Sequence, residues 1–271
     1  MSIILMHCFA RSGGTVLNQC IGSLPNVVIM SEVSSFGGGK GSGPISHRTI
    51  KEQAKAWYNI DLKNDDYIES ALELHEYCEK HNLKLVIREW SFINFVPQKY
   101  NNFNPPKKLY TLEQLTSHCK IIPFAFVRDA IDVCISRNIA PNKFSPTYLN
   151  YVKELINKNI KIFKYEDFCK NPNDSLKTIC HYTNLQFSHS YKDYLNFNKV
   201  NGDVQNPKAS RGIKQKRIQP LPRKIISRKM IKLFDQNKQI KLANKLLGYP
   251  LLYSDVQPEK NLLKRIKYFF I

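Results

Sequence analysis

The residues best placed for chemistry lie in a short turn after the first predicted strand. Ile3–Cys8 is an apolar run typical of a buried strand, and a helical pattern follows from Thr15. Between them runs the Ser- and Gly-rich turn Arg11-Ser12-Gly13-Gly14-Thr15. Such a turn directs several backbone N–H groups at one point, where the helix dipole adds partial positive charge. It predicts an anion site with Arg11 as the cation; the alternative is a structural glycine turn with a surface arginine.

This turn favours a phosphate group bound by arginine over a nucleotide bound through a metal. The GxxxxGK[ST] pattern of nucleoside triphosphatases is absent, and no lysine precedes Thr15. The strand predicted over Ile121–Val127 is followed by Arg128, where such an enzyme would need a carboxylate for Mg²⁺. We therefore expect an anion site that needs no metal.

A second anion site is predicted at the end of the strand Ile121–Val127. Arg128 ends that strand, and Ser136 lies eight residues later in the following helix. A strand-end arginine can clamp a phosphate bidentately, while a hydroxyl about two helical turns on can bond another of its oxygens. The alternative is an ion pair between Arg128 and the nearby Asp129 or Asp132.

Two carboxylates are candidates for a general base. Glu32 follows a strand predicted over Val27–Met30, and the C-terminal ends of strands face the ligand crevice of an α/β sheet. A base placed there typically accelerates proton transfer by ~10²–10⁴. Glu89, which follows Arg88 at the end of the next predicted strand, is the second candidate. The alternative for Glu32 is a structural ion pair with Arg11 or another cation.

Alternating strands and helices must hold these residues at one edge of a sheet. The alternation predicts an α/β fold with a mainly parallel central sheet and helices on both faces. We expect a single domain over residues 1–271, with a glycine-rich loop over 36–44 that suits a lid. Short apolar runs place the strands at Ile3–Cys8, Val27–Met30, Leu83–Ile87, Ile121–Val127 and Ile160–Lys164.

Composition excludes several classes of protein. The hydrophobic fraction is 42% and the charged fraction 23%, which excludes a disordered chain. No apolar run is long enough for a spanning helix, so no transmembrane segment is expected. The seven cysteines are scattered without a CxxC pair, which predicts neither a zinc site nor a disulfide framework and favours a reducing cytoplasm.

The net charge of +19 is concentrated at the C-terminal end of the chain. Residues 199–271 hold 18 Lys or Arg against four acidic residues. A basic field of this size attracts nucleic acid, an anionic membrane or a multiply phosphorylated small molecule. Residues 259–271 have the pattern of an amphipathic helix, for which we prefer packing on the protein's own core over a membrane surface.

Two segments resemble the donor-binding motifs of sulfotransferases. Ala10-Arg11-Ser12-Gly13-Gly14-Thr15 resembles the 5′-phosphosulfate-binding loop of that family, usually [KR]SG[TS]T. The stretch from Arg128 to Ser136 is similar to the family's 3′-phosphate motif, an Arg and a Ser eight residues apart. The departure is Gly14, where Thr or Ser is common, so one hydroxyl contact is missing.

Two later segments extend this resemblance across residues 1–212. Lys164-Tyr165-Glu166-Asp167-Phe168, with Asn171-Pro172, is similar to the family's YEDL…P block. Ser210-Arg211-Gly212 resembles the loop that closes on the 3′-phosphate. The four matches occur in family order. They resemble most the small cytoplasmic sulfotransferases of bacteria, in particular cyanobacteria.

The resemblance implies a P-loop-like nucleotide-binding sulfotransferase fold and the donor 3′-phosphoadenosine-5′-phosphosulfate (PAPS), which leaves adenosine 3′,5′-bisphosphate (PAP). Arg11 and the turn would hold the 5′ side of the donor without a metal. Glu32 has the spacing of the family's catalytic Glu, and Arg88 would stabilise the sulfuryl oxygens. The 3′-phosphate would be held by Arg128, Ser136, Ser210, Arg211 and Gly212.

The resemblance leaves the acceptor open within one class. Such enzymes sulfonate a hydroxyl, or an amine or guanidinium nitrogen, of a small molecule, and cyanobacterial acceptors include alkaloids of the saxitoxin type. Natural-product biosynthesis is the expected context, with no nucleic-acid partner, and the sequence does not indicate an oligomeric state. The alternative function is a basic nucleic-acid-binding protein that uses residues 199–271.

Overall fold

Five parallel strands form the central sheet. The computed structural model describes residues 2–36, 49–97, 104–201, 217–220 and 223–252. The strands lie in the order β2-β3-β1-β4-β5, and every neighbouring pair is parallel. This confirms the predicted α/β class and sheet. The strands are β1 (Ile3–Cys8), β2 (Val27–Val33), β3 (Lys84–Glu89), β4 (Ile121–Val127) and β5 (Lys161–Lys164).

Helices connect the strands, as the alternation predicts. Short 3₁₀ segments cover Ser91–Asn94 and His189–Asn196. Within the described residues no helix is both long and apolar enough to cross a bilayer. The α-helices are α1 (Gly14–Gly22), α2 (Ile50–Tyr58), α3 (Tyr67–Lys80), α4 (Tyr110–Thr116), α5 (Ala130–Arg137), α6 (Pro141–Asn157), α7 (Tyr165–Lys170), α8 (Pro172–Thr183), α9 (Arg228–Gln236) and α10 (Lys238–Leu247).

The chain divides into two compact units. The first, residues 1–128 and 154–220, contains the sheet with α1–α4, α7 and α8. The second, residues 129–153 and 221–271, contains α5, most of α6, α9 and α10. The expectation of a single domain over 1–271 stays a prediction.

Apolar packing on both faces of the sheet explains why the strands are continuous hydrophobic runs in the sequence. All six residues of β1 are buried. Ile4 and Met6 belong to a cluster with Leu17 of α1, Phe168 of α7 and Ile179 of α8. Helices α2, α3 and α4 contact β2, β3 and β4 respectively. Because side chains alternate along a strand, Ile3, Leu5 and His7 point to the opposite face of the sheet.

Strands β2 and β3 continue beyond their predicted ends, which corrects the placement of two site residues. Glu32 does not follow its strand: it lies within β2, at a bulge where the pairing passes from Ser31–Arg88 to Val33–Glu89. Arg88 and Glu89 likewise belong to β3. These polar residues are buried and bonded to neighbouring groups, so the ladder continues through positions where the sequence predicts a loop.

The order of the strands fixes where a ligand crevice forms. β1 lies between β3 and β4, so the connections around it lead to opposite sides of the sheet. In open α/β sheets such a switch point leaves a crevice at the C-terminal ends of the strands, and ligands bind there. The turn after β1 and the polar ends of β2 and β3 therefore meet at the same edge.

Candidate active site

The turn after β1 has the geometry of an anion cradle. Ser12 N donates to Phe9 O at 3.1 Å, and Arg11 and Gly13 have φ values of 78° and 83°. Helix α1 begins at Gly14, and Val16 N donates to Gly13 O at 3.2 Å. Most N–H groups of a helix's first turn have no acceptor within the helix. They stand at its positive end, where an anion is stabilised.

Ser12 adds a buried hydroxyl to this cradle. Its side chain is fully buried, and among the described residues its Oγ has no hydrogen-bond partner. A buried polar atom without a partner costs free energy, so such an atom at a predicted ligand site indicates a group that binds there. An oxygen of a phosphate or sulfate group would satisfy it.

Tyr165, at the start of α7, contacts both predicted anion-binding segments. A Cβ atom placed on Gly13 would lie 2.3 Å from Tyr165 Cδ2, so the ring requires glycine there in addition to the positive φ. The guanidinium carbon of Arg128 lies 4.8 Å from the centroid of the same ring, a cation–π geometry. One buried aromatic side chain thus supports the turn and Arg128. The sequence marks Tyr165 only as part of a family block and does not predict this role.

Gly14, the departure from the family pattern, makes room for Arg88. A Cβ atom on Gly14 would lie 3.0 Å from Arg88 Nε and 3.0 Å from Cys8 Sγ. A Thr or Ser at this position would press against Arg88. Burial raises the pKa of the Cys8 thiol to about 12, so this thiol packs as a neutral group.

Glu32 and Arg88 form a buried ion pair at the end of β2 and β3. Arg88 Nη2 bonds Glu32 Oε1, and Arg88 Nη1 donates to Ser31 Oγ at 3.4 Å. The side chains of Arg88 and Glu32 are 5% and 10% exposed. The structure thus brings together the predicted base Glu32 and the predicted cation Arg88. It also matches the alternative in which Glu32 forms a structural ion pair. The fixed pair orients a carboxylate beside a guanidinium next to Gly14 of the turn.

Helix α2 holds the outer edge of β2, which is an edge strand among the described residues. Gln53 accepts from Ser31 N at 2.7 Å and donates to Ser31 O at 2.9 Å. Tyr58 OH accepts from Ile29 N at 3.0 Å and donates to Ile29 O at 3.3 Å. The two side chains bond the backbone groups that a further strand would otherwise pair with. Gln53 therefore fixes the peptide just before Glu32, whose φ of 52° is unusual for this residue type.

Sequence reasoning misses the role of Gln53 and of Asn201. Gln53 lies on an ordinary amphipathic helix, and nothing in its spacing indicates a bond to a strand edge. Asn201 N donates to Ser31 Oγ at 3.1 Å. The described segment 104–201 therefore returns to β2 at its last residue. Ser31 consequently bonds α2, Arg88 and the segment before 202.

Glu89, the second base candidate, is committed to a buried network on the opposite face of β3. His7 Nδ1 lies 2.5 Å from Glu89 Oε2, Ser91 Oγ donates to Oε2 at 2.9 Å, and Asn94 Nδ2 donates to Oε1 at 2.9 Å. Burial alone would raise the pKa of Glu89, but attraction to His7 and the hydrogen bonds it receives hold that pKa below its ordinary value. The full burial of Glu89 favours Glu32 as the base.

The second predicted anion site is divided between the two units. Arg128 directly follows β4, which ends at Val127 in the first unit, and Ser136 lies in α5 of the second. Asp129 and Asp132, the expected ion-pair partners of Arg128, both accept from Arg223 within the second unit. That Arg128 and Ser136 bind one phosphate stays a prediction.

Several predicted elements lie outside the described residues. They are Ser210, Arg211 and Gly212, most of the loop 36–44, and the segment 259–271. Among the residues that the structure describes, no group of three or more His, Cys, Asp or Glu side chains is arranged to hold a metal ion. Metal-independent binding stays a prediction.

The solved structures that this chain matches include two sulfotransferase domains aligned over nearly their whole length. The sulfotransferase domain of the Synechococcus PCC 7002 olefin synthase aligns with a TM-score of 0.56 at 13% identity, covering 100% of this chain and 95% of that one. The sulfotransferase domain from the curacin biosynthetic pathway aligns with a TM-score of 0.54 at 10% identity, covering 93% and 99%. No protein-family model and no curated protein matches the sequence. The shared architecture, at this low identity, shows that the chain has the fold of sulfotransferase domains.

Proposed function

We propose that this protein is a PAPS-dependent sulfotransferase that acts on a small-molecule acceptor. The observation that carries the proposal is the cradle after β1, where the buried hydroxyl of Ser12, without a hydrogen-bond partner among the described residues, lies at the N-terminus of α1. The Arg88–Glu32 pair lies against the same turn, because the Cα of Gly14 faces Arg88. The fold shared with two sulfotransferase domains supports the proposal.

The donor would be held by two sets of residues. Arg11, Ser12 and the first amides of α1 would bind the 5′-phosphosulfate, where negative charge builds up as the leaving group departs. Arg128, stacked on Tyr165, would bind the 3′-phosphate together with Ser136. The residues 210–212 complete this second set in the proposal. No metal is required, because a transferred sulfuryl group carries less charge than a phosphoryl group.

Glu32 would act as the general base. It would take the proton from the acceptor's hydroxyl or nitrogen while that atom forms a bond to sulfur. The bond between sulfur and the bridging oxygen breaks, and its electron pair stays on the 5′-phosphate of PAP, beside Arg11. Arg88 would orient the Glu32 carboxylate and stabilise the equatorial sulfuryl oxygens. Glu32 in turn is oriented by Gln53 through the Ser31 peptide.

The acceptor in this proposal is a small alcohol or a nitrogen compound such as an alkaloid of the saxitoxin type. Natural-product biosynthesis is the proposed context, since one matched domain comes from the curacin biosynthetic pathway and the other from an olefin synthase. Among the site residues, Glu32 is the one that bears on the class of acceptor, because a carboxylate base suits a weakly acidic hydroxyl or an amine.

A transfer assay tests the proposal. The protein is incubated in EDTA with PAPS labelled on sulfur and with a panel of alcohols, phenols, sugars, amines and guanidinium compounds. We expect label to move to at least one class with stoichiometric release of PAP, and the Glu32→Gln variant to bind PAP without transferring label. If PAPS is neither bound nor consumed with any class, the protein is not a sulfotransferase.

A further inference from the structure

A group of exposed apolar side chains lies on and beside helices α9 and α10. Seven large hydrophobic side chains of the described residues are exposed, and five of them fall within 225–251. We refer to these five as the apolar surface residues. They are Ile225 at 54% exposure, Leu233 at 43%, Leu242 at 39%, Leu246 at 36% and Leu251 at 41%.

The apolar surface residues are additional to those that pack the core. Helix α10 already buries Ile240, Ala243 and Leu247. Leu242 and Leu246 lie four residues apart, so they are neighbours on a different side of the same helix. A helix that is apolar on two sides normally has a partner on each. The described part of the chain leaves the second side exposed.

Basic side chains interleave with these apolar residues. Residues 223–252 contain eight Lys or Arg and one acidic residue, Asp235. Arg223 is bonded to Asp129 and Asp132, but the exposed lysines follow the helical spacing of the leucines. Lys229 is four residues before Leu233, and Lys238 is four residues before Leu242. Leu233 and Leu242 thus each have a lysine one helical turn away on the same face.

Charge complementarity selects the partner for this surface. Residues 253–271 of the chain hold four Lys or Arg against Asp255 and Glu259, so they carry the same sign of charge as the surface and do not complement it. A nucleic acid would match the lysines but would leave the leucines without a partner, because its outer surface is phosphate. An anionic lipid bilayer satisfies both, since leucines enter the acyl boundary while lysine stems extend to the headgroup phosphates.

We propose that α9 and α10 bind peripherally to bilayers that contain anionic phospholipids. The five apolar surface residues supply insertion, and the interleaved lysines supply attraction to the anionic headgroups. The proposal is independent of the sulfotransferase activity, since none of these residues belongs to the donor or base sites. It assigns a role to the basic charge of the C-terminal third.

Vesicle sedimentation with the full chain tests this. Vesicles of phosphatidylcholine alone are compared with vesicles in which a part of the lipid is phosphatidylglycerol. We expect sedimentation only with the anionic vesicles. The double variant Leu242→Ser/Leu246→Ser and the double variant Lys241→Gln/Lys245→Gln should each weaken binding about tenfold or more, by lost insertion and lost attraction respectively. Ile156→Ser, at a side chain 41% exposed elsewhere in the chain, is the matched control and should bind like the wild type.

Three results would overturn the proposal. The first is no binding to anionic vesicles. The second is binding that depends on the lysines but not on the leucines and is abolished by a duplex oligonucleotide, which would identify a nucleic-acid surface. The third is a fall of several degrees in the Tm of the leucine variant but not of Ile156→Ser. That result would mean that another segment of the chain covers Leu242 and Leu246.

Discussion

Replacing Gly13 by alanine tests whether the turn after β1 has the geometry on which the account depends. Gly13 has a φ of 83°, and its missing Cβ would lie 2.3 Å from Tyr165 Cδ2. The added methyl group therefore meets two obstacles, a backbone conformation that disfavours a side chain and an aromatic ring in contact. Because Tyr165 also supports Arg128, displacement of the ring is expected to reach the second anion-binding segment.

The two obstacles differ in size. A left-handed conformation costs a non-glycine residue roughly 1–2 kcal/mol. Overpacking against a buried ring costs about 1–3 kcal/mol. We therefore expect the free energy of unfolding to fall by about 2–5 kcal/mol, which corresponds to a decrease in Tm of roughly 5–15 °C for a chain of this size. Movement of the cradle should remove at least one charge-assisted hydrogen bond to PAP and weaken PAP binding about tenfold or more.

Gly22 provides a matched control at the other end of the same helix. A Cβ atom there would lie 2.2 Å from Phe197 Cζ, but among the described glycines only Gly13 and Gly248 have positive φ values. Gly22→Ala should therefore destabilise by about 1–3 kcal/mol and leave PAP binding unchanged. Thermal unfolding by circular dichroism and calorimetric titration with PAP, well below both Tm values, measure the two effects. In the double variant Gly13→Ala/Tyr165→Leu, the stability lost by overpacking against the ring should be recovered. The stability lost through the left-handed backbone of residue 13 should remain.

The reasoning is refuted if Gly13→Ala is as stable as the wild type and binds PAP normally. It is also refuted if Gly22→Ala weakens PAP binding as much as Gly13→Ala does, since general destabilisation would then explain both.

Four further changes test the separate roles of the site residues. Glu32→Gln should lower transfer by ~10²–10⁴ while PAP affinity stays within about twofold; normal transfer would remove Glu32 as the base. Gln53→Leu should slow transfer about tenfold with unchanged PAP binding, whereas Tyr58→Phe, which also loses a bond to the β2 edge, should not; equal rates would show that the Gln53–Ser31 hydrogen bonds do not position Glu32. Arg128→Ala should weaken PAP far more than adenosine 5′-phosphate in parallel titrations, and equal losses would contradict the two-phosphate scheme. The folded-state pKa of Glu89 is lowered, so its contribution to stability is present above about pH 4.3 and is lost as pH falls through the folded-state pKa. Glu89→Gln should remove that part of the acid unfolding curve, and an unchanged curve would show that Glu89 makes no such contribution.

The fold is the part that the sequence predicts best. Apolar runs of four to seven residues between helical patterns identify all five strands, and β1 and β4 match their predicted bounds, because buried parallel strands consist of such runs. The ends of β2 and β3 are wrong because Ser31, Glu32 and Arg88 satisfy one another inside the protein. A polar residue after an apolar run predicts the end of a strand, yet here polar residues that pair with one another extend the strand.

The site is predicted only where its residues are neighbours along the chain. The turn Arg11–Thr15 forms a cradle from its own backbone, so its sequence suffices to predict it. The contacts of Tyr165 with Gly13 and Arg128, and the bond from Gln53 to Ser31, join residues that are far apart in sequence. No spacing rule connects such positions, which is why the contacts that support Glu32 and Arg128 emerge only from the structure.

Calorimetric titration with PAP in EDTA, with adenosine 5′-phosphate as the control, tests the central claim most directly because it needs no acceptor. The account predicts micromolar binding of PAP without a metal and much weaker binding of the nucleotide that lacks the 3′-phosphate. Absence of binding, or equal binding of both nucleotides, would contradict the assignment of the turn after β1 and of Arg128 to the donor.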